Sequence, residues 1–158
     1  MSYTSNFIEV INHSTNRLPE YATLGSSGLD LIADIDDNVV IESGENRLMS
    51  SGISIHILSP FIEAQVRSRS SLALKKVIVS NSPGTIDSDY TGIIKVILHN
   101  LGNDPFVVKR GDRIAQLVFA PIIKVELLPV DKFTNEESST RGTGGFGSTG
   151  SSALTNTD

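Results

Sequence analysis

Two carboxylates and a phenol, Asp87, Asp89 and Tyr90, fall within four positions of the stretch Asn81-Ser82-Pro83-Gly84-Thr85-Ile86-Asp87-Ser88-Asp89-Tyr90-Thr91-Gly92. The apolar runs Val77–Ser80 and Ile93–Leu98 flank it, so it reads as the tip of a long hairpin. Loop tips on a rigid scaffold are where functional side chains concentrate. A carboxylate there suits a general base: Asp87 would orient a water, provided a phosphorus lies within reach of that water. Taken alone, Asp87 and Asp89 are as well explained as solvated turn residues. The other polar stretches decide between the two.

A second stretch, Arg141-Gly142-Thr143-Gly144-Gly145-Phe146-Gly147-Ser148-Thr149-Gly150, formally contains the spacing G-x-G-x-x-G. A dinucleotide fingerprint needs a strand before it, a helix after it and a later acidic residue. No helical pattern follows here, so that match is set aside. The inventory that remains is backbone N–H groups, an arginine and hydroxyls, which suits a phosphate chain. Phe146 is the lone aromatic and would cover a base. A floppy linker fits the composition but leaves Arg141 and Phe146 without a purpose.

Three further stretches are polar where a plain β domain has no need of it. Arg69-Ser70-Ser71-Leu72-Ala73 opens a helical pattern, either as an anion site or as a simple N-cap. Ser27-Gly28-Leu29-Asp30-Leu31-Ile32-Ala33 places Asp30 inside an apolar strand, where a lone charge is costly and an arginine partner is the plainest remedy. In Arg110-Gly111-Asp112-Arg113-Ile114-Ala115-Gln116-Leu117 a turn enters a strand, and Gln116 is expected buried and in need of a hydrogen-bond partner. The tripeptide Arg110-Gly111-Asp112 also invites an adhesion reading. That reading is weak in an acidic, cysteine-free chain without a secretion-type start.

The elements that must hold these stretches are strands. Ile53, Ile55 and Ile57 alternate with Ser54 and His56, and Ile62, Ala64 and Val66 alternate with Glu63, Gln65 and Arg67, the period of two that strands require. Val77–Val79, Ile93–Leu98, Phe106–Val108 and Ile114–Phe119 are further runs of strand length. Turn signals at Ser43-Gly44, Ser59-Pro60, Pro83-Gly84, Gly102-Asn103 and Gly111-Asp112 recur at the spacing of an all-β sandwich or barrel. The only helical pattern is Ser70–Lys76, with a hydroxyl start and a basic end. The expected organisation is one β domain over residues 1–140 and a Gly/Ser-rich arm over residues 141–158.

The chain has 158 residues, no cysteine, three scattered histidines and a net charge of -5. Thiol chemistry and disulfides are excluded, and isolated histidines do not make a zinc site. The negative charge argues against stable nucleic-acid binding, which needs a basic face. No run approaches the length that spans a bilayer, and the polar start lacks a signal-peptide pattern. A cytoplasmic or otherwise intracellular protein without membrane association is the expectation.

In chain order the five stretches resemble the five motifs of the homotrimeric dUTP pyrophosphatases (dUTPases), over Ser27 to Gly150. The resemblance implies a jelly-roll-like β-clip fold and a homotrimer whose sites are shared between subunits. It also implies a flexible C-terminal arm that closes each site. The activity implied is hydrolysis of dUTP to dUMP and pyrophosphate. This keeps uracil out of DNA and supplies dUMP for dTMP synthesis.

Residue by residue, Asp87 matches the aspartate that orients the attacking water. Asn81, with Gly84, Thr85 and Ile86 in the hairpin, matches the uracil reader, and Tyr90 the ring that packs on the deoxyribose. Arg69, Ser70, Ser71 and Gln116 match the phosphate region, with Asp30, Asp89 and Arg113 in support. Arg141, Ser148 and Thr149 match the γ-phosphate contacts, Phe146 the ring stacked over uracil, and Gly147 a further substrate-binding position. The implied cofactor is Mg²⁺, held by the substrate phosphates and waters with no direct protein ligand. Ser27, Ser71 and Ile93 depart from the commonest pattern (alanine, glycine, and glutamate or glutamine).

Two rivals remain. A dCTP deaminase shares the fold and similar early motifs but uses a glutamate as proton carrier, where this chain has Ile97. A non-catalytic nucleotide-sensing trimer would predict damage at Asp87 or Arg141, and both are intact.

Overall fold

The computed structural model describes residues 7–134 and 142–144. By internal packing the chain divides into two units, one ending at Lys124 and the other beginning at Val125. The expected boundary at residues 140 and 141 lies outside the described residues. The first unit is almost entirely β. Its elements are β1 (Ile8–Asn12), β2 (Leu29–Ile32), β3 (Val39–Ile41), β4 (Asn46–Ile57), β5 (Ile62–Arg67), α1 (Ser70–Ala73), β6 (Val77–Val79), β7 (Gly84–Ile86), β8 (Ile93–Asn100), β9 (Phe106–Val108) and β10 (Arg113–Pro121).

One four-stranded sheet runs β1-β4-β8-β6, a second runs β2-β10-β5-β7, and β3 pairs with β9 in a two-stranded ribbon. The pairings are antiparallel. A single apolar core joins them: Met49, Ile53, Ile55, Val96 and Leu98 from the first sheet meet Leu31, Ala64, Val66, Ile114 and Leu117 from the second. The alternating residues of Ile53–Ile57 and Ile62–Val66 thus face one interior from opposite sides. β4 and β5 are consecutive in the chain but belong to different sheets, so Ser59-Pro60 carries the chain across the sandwich rather than closing a hairpin. This is the all-β sandwich the spacing predicts.

Three local expectations are corrected. The helix is shorter than Ser70–Lys76, because Lys76 adopts a left-handed φ of 60° that turns the chain into β6. Its cap position is Arg69, extended and without a side-chain cap bond, rather than a hydroxyl. The Asn81–Gly92 stretch is not a plain hairpin tip. β6 and β8 do pair, but the link between them lends β7 to the other sheet, where Gly84, Thr85 and Ile86 stand opposite Val66, Gln65 and Ala64.

The Arg110-Gly111-Asp112 turn is bound into the fold. Gly111 N–H donates to the Ala33 carbonyl at 3.0 Å, and Ala33 N–H donates back to the Asp112 carbonyl at 2.8 Å. Asp112 Oδ2 accepts the Lys109 N–H at 2.8 Å and Arg110 pairs with Asp34 at 3.3 Å. Gly111 has a φ of 85°, which glycine adopts without strain. Among the described residues no helix is long and apolar enough to cross a membrane.

Candidate active site

Three of the polar stretches contribute strands to the second sheet, in β2, β7 and β10, and a fourth, Arg69–Ala73, comes just after its strand β5. Gln116 on β10 stands opposite Asp30 on β2 and Arg67 on β5 in one lateral row, and next to it Val66 pairs with Gly84 on β7. Leu31, Val66 and Leu117 alternate with that row and are buried in the core. Strand side chains alternate faces, so Asp30, Gln116 and Arg67 project from the outer face. Four segments distant in sequence are thereby set side by side at strand spacing.

Charge pairing fixes the row at one end. Asp30 Oδ1 accepts Arg69 Nε at 3.0 Å and its Oδ2 accepts Arg113 Nη1 at 3.2 Å. Arg69 also donates to the Arg113 carbonyl at 3.1 Å. The Asp30 and Arg69 side chains are only 19% and 17% exposed, so solvent screens this pair less than a surface bridge. The arginine partner that desolvation requires for Asp30 is therefore present, and it is doubled. In consequence Arg69 is clamped where α1 begins, leaving the exposed Ser70 and Ser71 hydroxyls just beyond it.

Gln116 corrects an expectation. It is half-buried rather than buried, because it faces outward from β10, and it makes no side-chain hydrogen bond among the described residues. Its amide is left open to a ligand or water. One residue that the sequence reading passed over, Ser68, ties the neighbouring stretch in place: Val79 N–H donates to Ser68 Oγ at 2.9 Å, and Ser68 N–H donates to Ser82 Oγ at 3.3 Å. Position is the only sequence signal for Ser68, which immediately precedes Arg69. Arg67, also passed over, is held by Gln65 Oε1 at 3.0 and 2.6 Å.

The hairpin brings its own residues together. Asn81 packs against the buried Gly84, where a Cβ would stand 3.1 Å from Asn81 Nδ2. Thr85 is exposed and Ile86 half-buried on β7. Asp87 and Tyr90 close one turn, with Tyr90 N–H donating to the Asp87 carbonyl at 3.1 Å. The Tyr90 hydroxyl donates to the Ile93 carbonyl at 3.1 Å. Asp87 and Asp89 are exposed, and among the described residues neither carboxylate has an ion-pair or hydrogen-bond partner. Asp87 is therefore open to a water.

Arg141, Phe146, Gly147, Ser148 and Thr149 lie outside the described residues. Of that stretch only 142–144 are described, in a turn where Gly142 has a φ of 50°. Among the described residues no three His, Cys, Asp or Glu side chains group as a metal site.

The dUTPase family model matches residues 15–150. Proteins named deoxyuridine 5'-triphosphate nucleotidohydrolase are similar over most of both chains. That of Bartonella bacilliformis is 49% identical, covering 84% of this chain and 82% of its own. That of Hydrogenobaculum sp. is 53% identical, covering 84% and 90%. That of Rickettsia felis is 46% identical, covering 95% and 99%.

Solved structures at lower identity establish the fold. A Staphylococcus bacteriophage 80alpha dUTPase with dUPNHPP superposes at a TM-score of 0.82 and 24% identity, covering 93% of this chain and 100% of that one. A mutant dUTPase from phage phi11 of S. aureus, described as coordinating a structural Mg(II) ion, gives 0.73 at 22% identity over 81% and 99%. With the family model spanning nearly all of the β unit and relatives close to half identical, the chain belongs to the dUTPase family.

Proposed function

We propose that the chain hydrolyses dUTP to dUMP and pyrophosphate, with Asp87 orienting the attacking water. The observation that carries this reading is the Asp87–Tyr90 turn, with its unpaired carboxylate, set beside the Asn81–Gly84 contact within a dUTPase family chain. Water oxygen attacks the α-phosphorus, its proton passes to the Asp87 carboxylate, and the bond to the bridging oxygen breaks to release pyrophosphate. A positioned base contributes about 10²–10⁴-fold to such a step.

Ser70, Ser71 and the Gln116 amide are free to contact phosphate oxygens, and Arg69 adds positive charge beside them. Charge stabilisation supplies much of phosphoryl-transfer catalysis. Mg²⁺ fits this donor set only as an ion carried by the triphosphate and water, since the described residues offer no ligand cluster. When bound it would neutralise phosphate charge. Arg141, Ser148 and Thr149 are assigned to the γ-phosphate and Phe146 to the uracil face, in an arm over residues 141–158 that closes the site.

Selectivity is assigned to the hairpin. Asn81 and the β7 backbone read the uracil edge, and a close wall there rejects a 5-methyl group. Tyr90 packs on the deoxyribose. Rejecting a mismatched hydrogen-bonding edge is worth about 10⁴-fold, whereas excluding one methyl through apolar contact gives less. Ile97, midway along β8 opposite Leu48, cannot carry a proton, which disfavours deamination.

The working form is a homotrimer. A groove of about 410 Å³, lined by Phe7, Val10, Tyr21, Ile53 and Phe119 among others, leaves apolar surface open on the first unit. In the second, Val125, Leu127 and Leu128 are more than 70% exposed. Exposed apolar surface of this kind marks an interface. Light scattering should give three times the 17.0 kDa chain mass. For the activity, chromatography of a dUTP digest tests the reading: dUMP and pyrophosphate in equal amounts support it, and dUDP with phosphate contradicts it.

A further inference from the structure

Gly92 is not glycine for the sake of its backbone: its φ lies outside the left-handed range, so an L-residue fits the local conformation. What it lacks is room. A Cβ built there would stand 2.5 Å from the Tyr90 hydroxyl oxygen, 2.7 Å from Cζ and 3.1 Å from Cε2. The tyrosine folds back across Gly92, and its hydroxyl is anchored one residue further on, at the Ile93 carbonyl, 3.1 Å away.

The same tyrosine is tethered at its backbone to Asp87. Ile93 in turn begins β8, where it pairs with Ser54 of β4. The ring is thus held between a turn and the start of a core strand. It is nevertheless 43% exposed. The atoms that must yield to an added methyl are the far end of this exposed side chain, not packed backbone.

We propose that Gly92 is the positioning residue for Tyr90, and through it a determinant of which sugar the site accepts. The inference rests on the assignment of Tyr90 to the deoxyribose. A methyl at position 92 pushes the ring off its seat and breaks the bond to the Ile93 carbonyl. The space that a 2′-hydroxyl would need then opens, while the β8 backbone stays in place.

The test compares kcat/KM for dUTP and UTP in the full-length protein and in Gly92→Ala, Tyr90→Ala, the double variant, and Gly25→Ala. Gly25 is a steric control, because nothing lies within 4 Å of the position a Cβ would take there. Gly92→Ala should lower the dUTP:UTP preference about 10-fold or more, with Tm close to that of the parent. Added to Tyr90→Ala it should change the preference by less than about twofold, because the group it displaces is already gone.

An unchanged preference in Gly92→Ala, or a full additional loss in the double variant, overturns the proposal. If Tyr90→Ala itself keeps the preference, the assignment of Tyr90 fails and the inference fails with it. Should Gly92→Ala not fold, recovery of folding in the double variant supports the steric account. Failure of both variants to fold overturns it.

Discussion

Asp30 on β2 holds Arg69 at the head of α1 through a 3.0 Å contact to Nε, joining residues 39 positions apart in the chain. Asp30→Asn keeps the shape but removes the charge that both Arg69 and Arg113 meet. Stability should fall by about 1.5–3 kcal/mol, the range for a hydrogen bond to a charged group, as read by urea denaturation. The KM for dUTP should rise, since Ser70 and Ser71 follow directly from Arg69.

Asp87→Asn preserves size and exposure while removing the base. Pyrophosphate release should drop by about 10²–10⁴-fold, with dUTP affinity by calorimetry nearly unchanged. Near-parental turnover would remove Asp87 from its assigned role.

Gly52 has a φ of 66°, and a Cβ there would lie 2.6 Å from Ser14 Cβ and 2.7 Å from Asp34 Oδ2. It sits where β4 and β8 shift register between Ser50 and Ser54. Gly52→Ala adds left-handed strain to steric crowding, and should cost about 2–4 kcal/mol of stability. Thermal and urea melts would register the loss.

Deleting residues 141–158 removes the assigned γ-phosphate contacts and Phe146. The truncated protein should still scatter light as three copies of its shortened chain and keep its β spectrum. Its kcat/KM should fall by about 100-fold or more, as when charge-stabilising donors are lost. Full activity would make the segment a linker.

Much of this was legible in the chain, for reasons that differ by residue. The period of two in Ile53–Ile57 and Ile62–Val66 reports which apolar side chains face inward, and burial follows it at Ile55–Ile57 and Ala64–Val66, while Ser54 is buried as well, its hydroxyl 3.1 Å from His13 Nε2. The cost of an unpaired charge called for a partner at Asp30, which the structure supplies in Arg69. Periodicity does not say which strand pairs with which, so the division of β4 and β5 between sheets was not visible.

β7 is three residues long and follows a proline, too short to show a period. The end of α1 depends on a left-handed lysine, Lys76, which carries no composition signal. Gln116 sits mid-strand in either reading, and only the register shows that it faces outward. The Ser68–Ser82 tie links residues 14 apart through a backbone donor, and such bonds have no sequence signature.

The most direct test of the central claim is to measure pyrophosphate and ammonia release from dUTP, dCTP, dTTP and UTP side by side, with Mg²⁺ present. The account predicts pyrophosphate from dUTP, preferred over dCTP by about 10⁴-fold, and no ammonia from any of the four. Ammonia from dCTP, or comparable pyrophosphate release from all four nucleotides, would contradict it.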